Sequence, residues 1–222
     1  WTGCVRRSNE YGIRCGMTAG REALERLLAG NKRFVANVRS ADSISSAARR
    51  AELAIAQQPF AIVLGCSDSR VPVEIVFDQG LGDLFVIRVA GNIVAPSLIG
   101  SVEFAAAQFG TRLVVVLGHS QCGAIMATLE ELKQPAANQS PNLKSIVDRI
   151  RPAVQDLLPG RPGDDAAVLV RRAVRSNIVA SVRQLRHGSA IIEDLIASRG
   201  LMVIGAEYSL ETGVVEFLKE QS

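Results

Sequence analysis

Aromatic side chains, net charge and long hydrophobic runs are all scarce in this sequence of 222 residues. Aromatics make up only 5% of the chain, which argues against a sandwich of strands rich in Tyr and Trp. The formal net charge of +3 is too small to indicate a nucleic-acid partner. No apolar run reaches the ~18 residues of a membrane-spanning helix, and the first residues lack the apolar segment of a signal peptide. We therefore expect a soluble, cytoplasmic protein with neither a membrane nor a nucleic-acid partner.

Cysteine is also scarce, and the four cysteines fall into two pairs of different character. Cys4 and Cys15 lie in a short polar leader that has neither a helical nor a strand period. Cys66 and Cys122, in contrast, closely follow apolar runs. Because cytosolic thiols are usually reduced, the cysteines do not indicate a disulfide framework.

Ala, Val, Leu and Ile are plentiful, and with 48% apolar residues overall the chain can bury a full core as one domain. We assign this single domain to residues 18–222. We interpret residues 1–17 as a disordered leader or as sequence foreign to the domain, and we exclude them from the fold.

Unbroken apolar runs of about five residues predict buried strands joined by crossovers. The predicted strands cover residues 60–64, 84–89, 113–117 and 201–206, with a short edge strand at 213–217. The predicted helices cover residues 18–38, 45–57, 97–109, 121–133, 143–158, 166–187 and 189–198, with a helical turn at 73–77. Thr18 and Ser97 are predicted N-caps, and Cys122 is expected in the first turn of its helix. The pattern is typical of an α/β fold with a mostly parallel central sheet of four strands plus a short edge strand, flanked by helices, and with an N-terminal helical arm.

The N-terminal helix carries one apolar stripe at helical spacing. The stripe consists of Leu24, Leu27, Leu28, Val35 and Val38. The stripe can lie across its own sheet or across another subunit. Because no place for it within one subunit is evident, we expect a homo-oligomer, either a dimer or a dimer of dimers.

Two of the apolar runs end in glycine and lead directly into soft metal ligands. Cys66 follows Gly65 after the first predicted strand, and His119 and Cys122 follow Gly118 after the third. Parallel strands end on the same edge of a sheet, where open α/β sheets bind their ligands. Two cysteines and one histidine form one of the ligand sets of catalytic zinc, which keeps a fourth position open. The pattern predicts one zinc ion per chain.

A single cysteine is more often a small buried hydrophobe than a ligand, but the coincidence of three ligand types at strand ends favours zinc. Asp68 and Arg70 alternate with Cys66 in an extended segment, so the three side chains can face one side. Asp68 is then either a fourth ligand, which would close the site, or a base acting on water at the zinc. Arg70 can hold the carboxylate in a bidentate pair and keep it off the metal. The simpler alternative is an ordinary surface ion pair.

At these residues the sequence resembles the β-class carbonic anhydrases, whose pattern is Cys-x-Asp-x-Arg followed later by Gly-His-x-x-Cys-Gly. The matching segments are 66–70 and 118–123, and the resemblance runs over residues 20–218. It implies reversible hydration of carbon dioxide to bicarbonate and a proton, by attack of zinc-bound hydroxide. It also implies that the Cys2His set binds the zinc.

The same resemblance implies roles for the residues around the zinc. Asp68 would accept a hydrogen bond from the zinc-bound water or hydroxide, and Arg70 would orient Asp68. Gln57 would contact substrate and, because the active sites of this family lie at a dimer interface, would serve the neighbouring subunit. Val71 and Gly123 complete the predicted substrate-binding residues.

Some β-class enzymes close at lower pH, when the aspartate takes the fourth zinc position, and in a subset of them bicarbonate stabilises the closed form. The bicarbonate pocket contains an arginine and a tryptophan three residues before the first cysteine. Arg88 matches the arginine, but Val63 stands at the tryptophan's position. The resemblance therefore implies an open site at neutral pH, with Asp68 held by Arg70.

Three other functions stay open on the sequence alone. Ser120 lies in Gly-His-Ser-Gln-Cys, which nearly matches the Gly-x-Ser-x-Gly elbow of serine hydrolases, although His187 is the sole histidine downstream. A non-catalytic zinc module would use Asp68 as a permanent fourth ligand. Relatives of these enzymes hydrolyse carbon disulfide or carbonyl sulfide, and the residues do not exclude that reaction.

Overall fold

A five-stranded sheet lies at the centre of the computed structural model, which describes residues 19–39, 46–135, 140–158 and 165–219. Its strands are β1 (Ala61–Gly65), β2 (Leu84–Arg88), β3 (Leu113–His119), β4 (Met202–Tyr208) and β5 (Val215–Phe217). The spatial order is β2-β1-β3-β4-β5, with β1 to β4 parallel and β5 antiparallel to β4 at one edge. The predicted mostly parallel sheet with a short edge strand is confirmed. Residues 1–17, excluded from the fold on the sequence, lie outside the described residues.

Helices cover both faces of the sheet. In the described part of the chain they are α1 (Ala19–Val35), α2 (Ala47–Leu53), α3 (Val73–Val76), α4 (Pro96–Gln108), α5 (Gly123–Lys133), α6 (Pro141–Val154), α7 (Ala166–His187) and α8 (Ala190–Arg199). Helices α4 to α8 pack on the face that carries Val116, and α1 and α3 pack on the face that carries Leu117. Strands β1 and β3 are therefore buried along their whole length, which explains their unbroken apolar sequence. None of these helices combines the length and apolarity that crossing a membrane requires.

Helix α7 approaches β3 and β4 closely because two residues beneath it have no side chain. A Cβ atom added to Gly118 or Gly205 would lie 2.6 Å from side-chain carbons of Ile178, which is fully buried. A larger residue at either position would push α7 away from the sheet. Close to this contact, Nδ2 of Asn177 donates to the carbonyl of Gly91 at 2.8 Å. The packing of α7 thus anchors the segment that follows β2.

Helix α1 packs on its own sheet, so part of its apolar stripe has a place within one subunit, contrary to the expectation. Leu27 is fully buried and Leu24 is partly buried in the core on that face. The other three residues of the stripe stay exposed, with Leu28 37%, Val35 44% and Val38 58% exposed. Helical periodicity shows that a helix has an apolar face, but it does not show which surface buries that face.

A buried amide fastens α1 to two distant segments. Nδ2 of Asn31 donates to the carbonyl of Val76 at 3.1 Å and to that of Gly213 at 2.9 Å. Its Oδ1 accepts the backbone N–H of Val215 at 2.9 Å. Because Asn31 is only 6% exposed, these three hydrogen bonds satisfy groups that water does not reach. They connect α1 with the end of α3 and the start of β5.

Ser97 and Cys122 have other positions at their helix starts than predicted. Helix α4 begins with Pro96, so Ser97 lies within its first turn and is not the N-cap. Proline suits that position because its fixed φ matches the helix and its missing N–H has no partner there. Cys122 is the N-cap of α5, not a residue of its first turn, because Gln121 before it takes a left-handed conformation with φ 53°. The predicted N-cap Thr18 falls outside the described residues.

Candidate metal centre

Three ligand-forming side chains converge at the carboxyl end of the sheet. The register pairs Gly65 of β1 with Leu117 of β3, so the segments that follow these strands emerge side by side. Cys66, His119 and Cys122 each offer one ligand atom, and these atoms all lie within 4.8 Å of one another. All three residues are buried, His119 completely. The structure thus brings together the three residues that the sequence predicts as zinc ligands.

A tight turn after β3 points Cys122 back toward the end of the strand. Gln121 is in the left-handed region, and Cys122 is extended, with φ −68° and ψ 115°. A left-handed residue with a side chain is strained and persists only where its surroundings hold it. Gly123 then opens α5, and apart from its chain neighbours and the backbone of its own helix, no heavy atom of the described residues lies within 4 Å of the position that a Cβ would take. The spacing Gly-His-x-x-Cys-Gly therefore encodes a turn that directs two ligands to one point and leaves open space beside them.

The hydrogen bonding of His119 leaves one ring nitrogen available to a metal. Nδ1 lies 2.8 Å from the carbonyl oxygen of Ser120, which can only accept, so Nδ1 carries the proton. Nε2 is buried and has no hydrogen-bond partner among the described residues. Such a group is costly unless something binds it. Together with two thiol sulfurs, this nitrogen forms a donor set that fits zinc.

The two thiols interact directly, and their acidities move in opposite directions. The neighbouring thiol of Cys122 lowers the pKa of Cys66, assisted by His119 and by the backbone N–H of Gly91. That N–H lies 3.4 Å from Sγ of Cys66. The neighbouring Cys66, together with burial, raises the pKa of Cys122 far above its ordinary value. The surroundings of Cys66 therefore favour its thiolate form, the form that binds metals.

Arg70 holds Asp68 at the rim of the site in the bidentate pair that the sequence suggests. Oδ1 accepts the backbone N–H of Arg70 at 3.0 Å and its Nε–H at 2.9 Å, and Oδ2 accepts from a terminal nitrogen at 2.8 Å. These hydrogen bonds hold the pKa of Asp68 well below its usual range. Oδ2 lies 3.9 Å from Nε2 of His119. The carboxylate is therefore ionised, fixed by its arginine, and close to the ligands.

Arg88 fixes the loop between Cys66 and Asp68, a role that sequence reasoning missed. Its Nε donates to the carbonyl of Cys66 at 3.0 Å, and a terminal nitrogen donates to the carbonyl of Asp68 at 2.7 Å. The sheet register places Arg88 opposite Gly65, directly beside this loop. The resemblance links Arg88 only to an effector pocket. Its position as a lone cation at the end of an apolar strand is the signal that could have identified it.

The three predicted substrate-binding residues lie in different places. Gln57 is exposed and precedes β1, so it lies toward the opposite edge of the sheet from Cys66. Val71 is fully buried in the core. Gly123 adjoins the ligands at the start of α5. Within one chain, therefore, only Gly123 borders the metal ligands with open space around it.

The described residues contain no serine-hydrolase triad around Ser120. Its Oγ donates to Oε2 of Glu211 at 2.8 Å and accepts the backbone N–H of Leu210 at 2.9 Å. His187 ends α7 and borders a different cavity. The ring of His119 contacts the carbonyl of Ser120, not its hydroxyl. The structure does not support the hydrolase alternative.

Comparison of the sequence with known proteins gives a consistent result. The sequence profile of the carbonic anhydrase family matches residues 61–215. The chain is 38% identical over 191 residues to carbonic anhydrase 2 of Mycobacterium tuberculosis, which covers 86% of this chain and 89% of that protein. It is 41% identical over 187 residues to a carbonic anhydrase of Mycolicibacterium smegmatis, which covers 84% of this chain and 87% of that protein.

Solved structures are similar to this fold as well. One of two tetrameric β-carbonic anhydrases of the ascomycete Sordaria macrospora superimposes with a TM-score of 0.68 at 26% identity, over 76% of this chain and 85% of that one. The β-carbonic anhydrase CcaA superimposes with a TM-score of 0.67 at 26% identity, over 90% of this chain and 93% of that one. The likeness therefore extends well beyond the metal-binding segments.

Proposed function

This chain belongs to the β-class carbonic anhydrases, and from that premise we propose how its residues carry out the reversible hydration of carbon dioxide to bicarbonate and a proton. The observation that carries the proposal is the buried Cys2His cluster, whose ligand atoms lie within 4.8 Å of one another, with the carboxylate of Asp68 beside it. This arrangement combines a site for zinc with a fixed hydrogen-bond acceptor.

Cys66, His119 and Cys122 hold one zinc ion per chain. When bound, zinc lowers the pKa of water to about 7 and makes hydroxide available at neutral pH, an effect for which carbonic anhydrases are themselves the standard example. The surroundings of Cys66 lower its pKa and so favour the thiolate, and the Nδ1 proton of His119 leaves Nε2 ready to coordinate. Cys66 and Cys122 form no disulfide. We place the enzyme in the cytoplasm, where such cysteines stay reduced.

Asp68 accepts a hydrogen bond from the reacting water and so orients it. An ionised carboxylate can only accept, and Arg70 occupies three of its acceptor positions. Oδ2 accepts one hydrogen bond from Arg70 and can accept another. This oxygen lies 3.9 Å from Nε2 of His119. A water that donates one hydrogen to Oδ2 turns its lone pair toward a substrate carbon. Arg70 keeps the carboxylate in this orientation.

Carbon dioxide is small and apolar, whereas bicarbonate is charged, so the substrate site needs an apolar wall and a few donors. Val71 is fully buried, so it can support that wall only from within the core, without surface of its own. We assign one donor to Gly123, since it lies at the N-terminal, positive end of α5 with open space around it. The amide of Gln57 serves as a donor in the site of the neighbouring subunit.

The active form that we propose is a homodimer or a dimer of dimers, in which a second copy covers the β2 edge. Strand β2 is the last strand on its side of the sheet, and its side chains are only half-buried. Exposed apolar side chains lie on the neighbouring elements, with Phe104 50%, Leu81 43% and Ile55 89% exposed. An apolar edge strand left open invites association. Gln57 borders the same surface, where it lines a cavity with Ile55 and Leu81.

Light scattering tests the oligomer. Wild-type protein should have at least twice the mass of one chain, and Phe104→Glu should lower that mass because it places a charge in the interface. Leu143→Glu is the matched control, since Leu143 is 59% exposed but lies on α6, on another surface. A fully active wild-type monomer would contradict the proposal.

A stopped-flow assay of carbon dioxide hydration on zinc-loaded protein tests the reaction. We expect one zinc per chain, with activity that a chelator abolishes and added zinc restores. Stoichiometric zinc without activity would favour a non-catalytic zinc module. Hydrolysis of carbonyl sulfide that is faster than hydration of carbon dioxide would favour a carbon disulfide or carbonyl sulfide hydrolase.

A further inference from the structure

The turn after β4 lies over the loop that carries two of the zinc ligands. The last residues of β3 and β4 are register partners, so the segments that follow these strands meet. Oε2 of Glu211 accepts from the hydroxyl of Ser120 at 2.8 Å, and Oε1 accepts from Nε2 of Gln121 at 2.5 Å. One carboxylate therefore binds both residues that separate His119 from Cys122.

The turn that presents Glu211 is itself ordered by hydrogen bonds. Oγ of Ser209 donates to Oε2 of Glu211 at 3.0 Å and accepts the N–H of Thr212 at 3.1 Å. The N–H of Leu210 donates to Oγ of Ser120 at 2.9 Å. The donors on the carboxylate, with the Ser120 hydroxyl first among them, lower the pKa of Glu211 to about 2. Glu211 is thus an ionised acceptor in a defined position.

The two residues that Glu211 binds control the geometry of the ligands. The carbonyl of Ser120 accepts from Nδ1 of His119, which keeps the proton off Nε2. Gln121 holds a left-handed conformation at φ 53°, and this conformation directs Cys122 into the site. A strained residue of this kind relaxes unless its surroundings hold it. The hydrogen bond from its amide to Glu211 is such a restraint.

We propose that Glu211 is a positioning residue for the zinc site, because it fixes the Ser120–Gln121 segment and through it the orientation of His119 and Cys122. The inference rests on the proposed function, since it requires that these ligands bind zinc. Among the described residues, Glu211 makes no hydrogen bond to His119 or Cys122 and acts through the loop between them. Hydrogen-bond partners outside the coordination sphere commonly tune metal affinity in this way. The predicted effect is slower release of zinc.

The experiment compares Glu211→Ala and Glu211→Gln with the control Glu216→Gln. Glu216 belongs to the same hairpin, but its carboxylate pairs with Arg175, and it makes no hydrogen bond to the Ser120–Gln121 segment among the described residues. Zinc-loaded proteins are mixed with a chromophoric chelator, and cobalt-substituted proteins are compared by their sulfur-to-cobalt charge-transfer bands. We expect about tenfold faster release of zinc from Glu211→Ala and a smaller acceleration in Glu211→Gln, with a shifted band in both. Glu216→Gln should match the wild type.

The inference would be overturned if zinc release and the cobalt band were unchanged in both Glu211 variants while the wild type bound one zinc per chain. The zinc site itself would then remain supported. Equal acceleration by Glu216→Gln would also overturn it, because the cause would then be a general loosening of the hairpin. A wild-type protein that binds no zinc would overturn the zinc site itself and this inference with it. If Glu211→Ala does not fold, the nearly isosteric Glu211→Gln is combined with Ser120→Ala. Effects on zinc release that are less than additive support the inference, and additive effects overturn it.

Discussion

Replacement of Asp68 by Asn should separate zinc binding from catalysis. The amide has nearly the size of the carboxylate, but one acceptor becomes a donor. Two N–H groups of Arg70 converge on Oδ1 at 3.0 and 2.9 Å, so the amide oxygen takes that place. The amide nitrogen then takes the place of Oδ2, the oxygen that lies 3.9 Å from Nε2 of His119. It offers a donor at the point where the reacting water needs an acceptor. Acid–base contributions of this kind are typically ~10²-fold or more, so we expect kcat/KM to fall about 10²-fold, about 2.7 kcal/mol in activation free energy.

The assay is stopped-flow hydration of carbon dioxide with a pH indicator, with zinc measured in the same samples by elemental analysis. Asp148→Asn is the matched control, because Asp148 is an exposed residue of α6 whose carboxylate pairs with Lys144. It should retain full activity. Full zinc content with wild-type kcat/KM in Asp68→Asn would show that Asp68 is not the acceptor. Loss of zinc from the same variant would show that it is a ligand.

The remaining predictions concern the ligands, a buried amide and a carboxyl group. Removal of one ligand leaves two, so zinc content and hydration activity should both fall to background in three variants: Cys66→Ser, Cys122→Ser and His119→Ala. Asn31→Ala leaves three buried backbone groups without partners, so it should lower the free energy of unfolding by about 3 kcal/mol. Urea denaturation measures this, and an unchanged midpoint of the unfolding transition would contradict the role assigned to Asn31. The pKa of Glu211 is lowered from 4.5 to about 2, so its hydrogen bonds stabilise the folded protein above pH 4.5 and lose that effect as the pH falls through 2. A pH titration followed by carbon-13 NMR of this carboxyl group should have its midpoint near pH 2. A midpoint near pH 4.5 would contradict the prediction.

The strands and the zinc ligands could be predicted because burial constrains the sequence directly. A strand covered on both faces has to be apolar throughout, as β1 and β3 are. Parallel pairing then carries the residue after each strand to one edge of the sheet. Cys66, His119 and Cys122 could be located together for this reason, without knowledge of any helix. Two local features of the ligands were missed: β3 extends through His119, and the conformation of Cys122 depends on the left-handed turn at Gln121.

Features that depend on contacts between distant segments could not be predicted from patterns. The apolar face of α1 shows that Leu27 is buried, but not that its own sheet buries it. Arg88 and Glu211 act through hydrogen bonds to loops far away in sequence, which only the strand register brings near. The position of Gln57 relative to a substrate depends on a second chain, so one sequence contains no pattern for it.

The location of the ligands on separate strands sets the order in which polypeptide and metal come together. Cys66 follows β1 and His119 ends β3, and the chain forms β2 and α4 between them. Closing so long a loop costs chain entropy, which the burial of apolar residues between β1 and β3 offsets before any ion is needed. A zinc finger, in contrast, folds only when its metal binds. We therefore expect metallation to follow folding here, with zinc stabilising the folded scaffold by mass action instead of nucleating it.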